Sequence, residues 1–151
     1  MRVAFITAEF PTTHPNAGGL ATYVARMSSL LAQRGIETHV FVPAAISRCS
    51  VVDAVVVNEV GPHRSFWSML ADVTGRSWRV RHSGVSNALA QLRVSWGLAR
   101  ALKNVERSNG KFDWLQSCDY KSSGLFLTFG RRVHLVRCSA ALDLWQAARS
   151  E

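Results

Sequence analysis

The chain has 151 residues, 48% of them hydrophobic and 19% charged, the balance of one globular domain and not of a disordered tail. At this length folding hides roughly 70% of the unfolded surface, so a core forms without disulfide or metal staples. No run reaches the ~18 apolar residues of a membrane helix, because the most apolar stretch, 51–60, is broken by Asp53, Asn58 and Glu59. The opening Met-Arg-Val-Ala-Phe-Ile-Thr-Ala is too short for a secretory core and reads as a buried strand, so a cytoplasmic domain is expected.

Lys plus Arg number 18 against 10 Asp plus Glu, a formal net charge of +8. The cations are dispersed. The densest group is Arg76, Arg79, Arg81 and His82 around Trp78, with a pair at Arg131 and Arg132. Such dispersion fits solvated faces better than a nucleic-acid surface, which needs cations and aromatics on one face. Cys49, Cys118 and Cys138 are far apart, without metal-ligand spacing, and are expected to be reduced core residues. No metal and no cofactor is expected.

In chain order, Val3–Ala8 is a short apolar run, the pattern of a strand covered on both faces. A loop rich in proline and glycine follows, 9–19. Leu20, Tyr23, Val24, Met27, Leu30 and Leu31 then repeat at helical spacing up to Arg34-Gly35, a helix-stop signal. Thr38–Val42, stopped by Pro43, is a second strand. Strand, helix, strand forms a βαβ unit with parallel pairing and a right-handed crossover. Further on, Ala54–Val60 reads as a strand with a turn at Gly61-Pro62, and Phe66–Val73 as a short helix. Val85, Leu89, Leu92, Trp96, Ala99, Leu102 and Val105 mark one face of a long helix ending near Asn109-Gly110. Phe112–Gln116 is a strand, Ser117–Ser123 a polar turn, Gly124–Phe129 a helix, His134–Cys138 the last strand, and Ala140–Arg149 helical in composition. The alternation predicts an α/β fold, a Rossmann-like, doubly wound, mostly parallel sheet. Ligands of such sheets sit outside the carboxyl ends of the strands, which directs attention to the loops after Ala8, Val42, Gln116 and Cys138.

Gly18-Gly19 stands at the mouth of the first helix. Free amides at a helix N-terminus attract an anion such as a diphosphate, and glycine lets the backbone approach it closely. An equal alternative is that the pair simply turns the chain into the helix. The dinucleotide fingerprint, the P-loop, the zinc-protease and nucleophile-elbow motifs are all missing, which argues against hydride transfer and NTP hydrolysis. His134 reads as a structural strand histidine.

Three segments together resemble the family-4 glycosyltransferases of GT-B fold. They are residues 1–11 with Gly18–Val24 and Leu30–Val40; Phe112–Gln116 with Asp119-Tyr120; and Val136–Ser139. The resemblance runs along essentially the whole chain but reaches only the N-terminal, acceptor-side half of that two-domain enzyme. It implies a transferase moving a sugar from a nucleotide-sugar to a glycan, lipid or small-molecule acceptor. Gly18 and Gly19 would face the donor diphosphate or sugar, and Asp119 and Tyr120 the acceptor side. Ser139 falls where the family has a histidine, a departure, since a hydroxyl cannot carry the cation that an imidazole can. The acidic pair and basic clamp belong to the family's second domain, so the chain alone is expected not to turn over. Truncation would also expose an apolar patch at Leu142, Leu144 and Trp145. The implied location is cytoplasmic, with peripheral contact at the inner face of the membrane. The competing expectation is a basic nucleic-acid-binding or non-catalytic interaction domain.

Overall fold

A computed structural model describes residues 1–13, 18–62, 84–119, 123–127 and 133–137. Its elements are β1 (Arg2–Ile6), α1 (Gly19–Gln33), β2 (Glu37–Pro43), β3 (Arg48–Val52), β4 (Val55–Val60), α2 (Gly84–Asn109), β5 (Trp114–Cys118), a 3-10 turn (Leu125–Leu127) and β6 (Val133–Arg137). The six strands form one sheet in the order β3-β4-β2-β1-β5-β6. Every neighbouring pair is parallel except β3 with β4. The protein is therefore an α/β fold with a mostly parallel, mixed sheet and, among the described residues, two helices.

Side chains alternate across a strand, so each inner strand feeds two cores. Val3, Phe5, Val40, Val42 and Val57 cluster with Val24 of α1. Ala4, Ile6, Phe41 and Leu115 cluster with Leu98 and Leu102 of α2. Each fully buried Val, Leu, Ile or Phe contributes about 1.5–3 kcal/mol of burial free energy, which explains the apolar runs Val3–Ile6 of β1 and Val40–Val42 of β2. Phe5 meets Trp114 edge to face, ring centroids 6.3 Å apart, tying β1 to β5.

α1 ends as its sequence predicts. Arg34 is the C-cap, Gly35 follows at φ +76, and its N–H donates to Ala32 O at 2.9 Å while Ile36 N–H donates to Leu31 O at 3.1 Å. That double bond pattern is a Schellman stop, and its left-handed residue favours glycine.

The helix faces differ from expectation. On α1 the buried residues are Ala21, Val24 and Ser28, while Leu30 is half exposed; at 100° per residue Leu30 lies well off the line through Val24. On α2 the buried face is Ser95, Leu98, Ala99 and Leu102, and Trp96 is 38% exposed, set against Phe126 at 5.3 Å.

Three further expectations are corrected. Arg48–Val52, unassigned from sequence, is an edge strand that hairpins onto β4. The tight turn puts Asp53 and Ala54 at positive φ, 49 and 64. Cys49 on β3 is exposed, not a core residue, whereas Cys118 is buried. In place of a helix over Gly124–Phe129, the described residues carry a single 3-10 turn. The expected helices at Phe66–Val73 and Ala140–Arg149, the patch at Leu142, Leu144 and Trp145, and the cation group around Trp78 lie outside the described residues. No helix among the described residues is long and apolar enough to cross a membrane.

Candidate functional site at the carboxyl edge of the sheet

From β1 the chain builds outward through β2 and β4 on one side, then returns to add β5 and β6 on the other. The order reverses between β1 and β5, and beyond the carboxyl ends of those strands an open α/β sheet has its natural crevice. β1 pairing extends one residue past the strand, with Thr7 N–H donating to Phe41 O at 3.1 Å. Thr7 Oγ1 then donates to Glu9 O at 2.9 Å, and Phe10 inserts into the α1-side core. The loop thus leaves the sheet anchored on both sides.

α1 begins at the same edge. Its N-cap is Gly18, at φ −75 and ψ −166, which has no side chain to cap the helix, and the first turn carries no acidic residue. The first helical bond runs from Thr22 N–H to Gly18 O at 3.2 Å, so the amides of Gly19, Leu20 and Ala21 precede any intrahelical acceptor. Neither glycine adopts positive φ, and a Cβ at either would meet nothing within 4 Å. Nothing in the described structure therefore requires glycine at these positions, in contrast to Gly35. What glycine provides at Gly18 and Gly19 is access to the backbone.

Around this helix start, Leu20 shares a narrow crevice with Phe5, Gln116, Ser117, Cys118 and Arg137. Its volume, about 10 Å³, admits no more than a water, so any ligand rests on top. Gln116 Nε2 donates to Tyr23 Oη at 3.3 Å, and the Arg137 guanidinium stacks 3.5 Å over the Tyr23 ring. A cation held on an aromatic face keeps its N–H edges available for an anion. Asp119 N–H donates to Arg137 O at 3.2 Å, placing Asp119 one residue past the end of β5. Of the residues singled out from sequence, Gly18, Gly19 and Asp119 all lie on this edge; Tyr120 and Ser139 lie outside the described residues. Tyr23, Gln116 and the stacking of Arg137 were missed, because their contacts join positions far apart in the chain.

Ser117 Oγ and His134 Nε2 are 2.8 Å apart, the spacing of a nucleophile and base. Ser117 is 2% exposed, and a Cβ on Gly124 would collide with its side chain. The pair joins buried Ser117 to a half-buried His134 and ties β5 to β6, in line with a structural His134. The covering turn is fixed by Ser123, whose Oγ donates to Cys118 O and whose carbonyl accepts from Ser95 Oγ, both at 3.3 Å.

On the α2 face of the same edge lies a cavity of about 840 Å³, with Ala8, Thr13, Ala44, Glu59, Gln91 and Ser123 on its walls. Arg48 closes one side, its Nε and Nη2 donating to the two carboxylate oxygens of buried Glu59 at 3.1 and 3.0 Å. Among the described residues no group of three or more His, Cys, Asp or Glu could hold a metal ion. The chain matches no family model and no curated protein.

Proposed function

We propose that this chain is the acceptor-side, Rossmann-like half of a nucleotide-sugar glycosyltransferase of GT-B type. The observation that carries the reading is the start of α1: unbonded amides capped by glycine, open around both glycines, at the edge where the strand order reverses. Helices on both faces of a mostly parallel sheet support the doubly wound half-architecture, and the sequence resemblance supplies the reaction class.

In this reading the donor diphosphate lies across the amides of Gly19 and Leu20, at the positive end of the α1 dipole. Arg137, steadied on Tyr23, supplies a cation as negative charge builds on the leaving group. Asp119 and Tyr120 face the acceptor. Ser139, in place of the family's histidine, cannot supply the cation that an imidazole would. Turnover requires the second, nucleotide-gripping domain, in the same chain or another. The acceptor is a glycan, lipid or small molecule, and the site of action is the cytoplasm, with peripheral contact at the membrane where the acceptor is a lipid.

Titration with UDP-glucose and GDP-mannose tests this. Saturable binding of either, weakened by Gly19→Val with an unchanged circular dichroism spectrum, is the expected result. Binding indifferent to Gly19→Val, or binding of any polyanion that collapses steeply with salt, would overturn it and favour a nucleic-acid surface.

A further inference from the structure

β3 is the outer strand of the sheet and is paired on one side only. Its turn has Asp53 and Ala54 both at positive φ, which makes it type I′, so Val52 and Val55 close the hairpin as a hydrogen-bonded pair. Bonded and non-bonded pairs alternate along an antiparallel ladder. Ser50 with Val57 and Arg48 with Glu59 are therefore bonded pairs too, while Cys49 and Val51 stand in the non-bonded positions opposite Asn58 and Val56. The N–H and C=O of Cys49 and Val51 thus point away from β4, and among the described residues nothing donates to them or accepts from them.

An open edge is ordinarily blunted by proline, lysine or a bulge. β3 carries none of these: its sequence is Arg-Cys-Ser-Val-Val and its register is continuous from Arg48 to Val52. Val51 is 68% exposed, and Cys49 is exposed beside it. The one charge on the strand, Arg48, is turned back onto Glu59.

The two open residues lie symmetrically about Ser50, and that symmetry selects the occupant. A two-fold axis through Ser50 sets Cys49 opposite the partner's Val51 and Val51 opposite the partner's Cys49, so each open N–H meets an open C=O, in about four bonds. The side chains suit the same register. Cys49 and Val51 form an apolar face, and on the other face Ser50 meets the partner's Ser50 while Arg48 meets the partner's Val52. The two Arg48 residues stand four positions apart, about 13 Å at strand rise, beyond the ~8 Å screening length. An axis through Cys49 would instead bring them to about 7–8 Å and pair Val51 with Ser47, which lies outside the strand.

We propose that β3 is the seam of a two-fold homodimer, in which two β3 strands pair antiparallel about Ser50 and join the sheets of two copies into one. The proposal does not depend on the transferase reading. A seam of one short strand a side buries little area, so the dimer is weak and forms in proportion to concentration.

Sedimentation of the full chain at concentrations rising to about 1 mM tests the inference. A monomer–dimer equilibrium is expected. Val51→Pro, which removes an outward N–H and none of the bonds to β4, should abolish it with an unchanged circular dichroism spectrum. Cysteine cross-linking under mild oxidation reads the register. In a chain with Cys49 and Cys138 replaced by serine, Ser50→Cys sets two thiols opposite each other, with Cα atoms about 4.5 Å apart and within disulfide reach. Covalent dimer should form there at least about ten-fold faster than in Cys138→Ser, whose Cys49 meets its own copy only on the diagonal at about 7–8 Å. A monomer at every concentration, a dimer untouched by Val51→Pro, or linkage through Cys49 as fast as through position 50 would overturn the proposal. Should Val51→Pro fail to fold, the cross-linking rates decide alone. No nucleotide-sugar enters either assay, so their outcome and that of the donor titration are read separately.

Discussion

The two edges of the sheet are built on opposite principles. At the amino edge polar groups are densely paired and rings are packed together. Arg2 N–H donates to Asp113 Oδ2 at 2.7 Å, and its guanidinium pairs with Glu37 at 2.8 Å, donates to Gly110 O and lies 4.7 Å over the Phe112 ring. His39, 5% exposed, has Glu37 Oε1 3.0 Å from Nε2 and Phe112 5.1 Å away, edge to face. Asn58 Nδ2 donates to His39 Nδ1 at 3.3 Å and is held in that orientation by the carbonyls of Val40 and Val56, both 3.4 Å away. At the carboxyl edge, by contrast, Gly18 and Gly19 have no close neighbours among the described residues, the first turn of α1 has no side-chain cap, and a large cavity lies between the hairpin and α2. One edge is closed by side-chain bonds; the other is more open among the described residues.

Perturbing the two edges should give opposite phenotypes. The largest effect is expected from Phe112→Ala, which removes the ring that Arg2, His39 and Phe41 pack against. A loss of about 3–5 kcal/mol is expected in urea unfolding, and a much smaller loss would show that this edge is not the anchor.

Next comes acid. Burial lowers the His39 pKa below its ordinary 6.5, against the pull of the Glu37 hydrogen bond. The unfolded chain therefore takes up a proton that the folded chain resists. Stability from this residue is complete above about 6.5 and is lost as pH falls below it. Protonation would also put an N–H on Nδ1, facing the amide group that Asn58 cannot turn away. Glu37, whose carboxyl the Arg2 hydrogen bond holds below 4.5, adds a second loss at lower pH. Urea midpoints at about pH 7.5 and about pH 5.5 should differ more in the native chain than in His39→Gln. Parallel pH dependences would remove His39 as the cause.

The smallest pair sharpens the comparison most. Gly35→Ala forces a Cβ into the left-handed region and should cost about 1 kcal/mol. Gly19→Ala should change stability by less than about 0.5 kcal/mol. If the second loss matched the first, the Gly18-Gly19 pair would be serving the fold.

The inner layers of this molecule were legible because burial writes itself into sequence. β1, β2, β5 and both long helices carried their own periodicity or apolar runs, and Arg34-Gly35 announced its stop. β3 did not: its residues are mostly exposed, and Asp53-Ala54 is not a typical hairpin turn pair, so neither alternation nor turn chemistry signalled it. The 3-10 turn was misread because the packing of Gly124 against Ser117, set by tertiary contact, overrides local helical composition. At the site, the Gly-Gly pair was visible as a local pattern. The Gln116–Tyr23 bond spans 93 positions, and the larger cavity draws its walls from residues as far apart as Ala8 and Ser123, so no local pattern could have revealed them.

The earliest of the described strands, β1, occupies the middle of the sheet. Arg2 must wait for Asp113, 111 positions later, before β1 acquires its second neighbour. Contacts of such long range slow folding, so β1 stays an apolar, half-paired strand until β5 has been made. A sheet assembled in that order depends on chaperone shelter during translation more than one whose earliest strand lies at the rim.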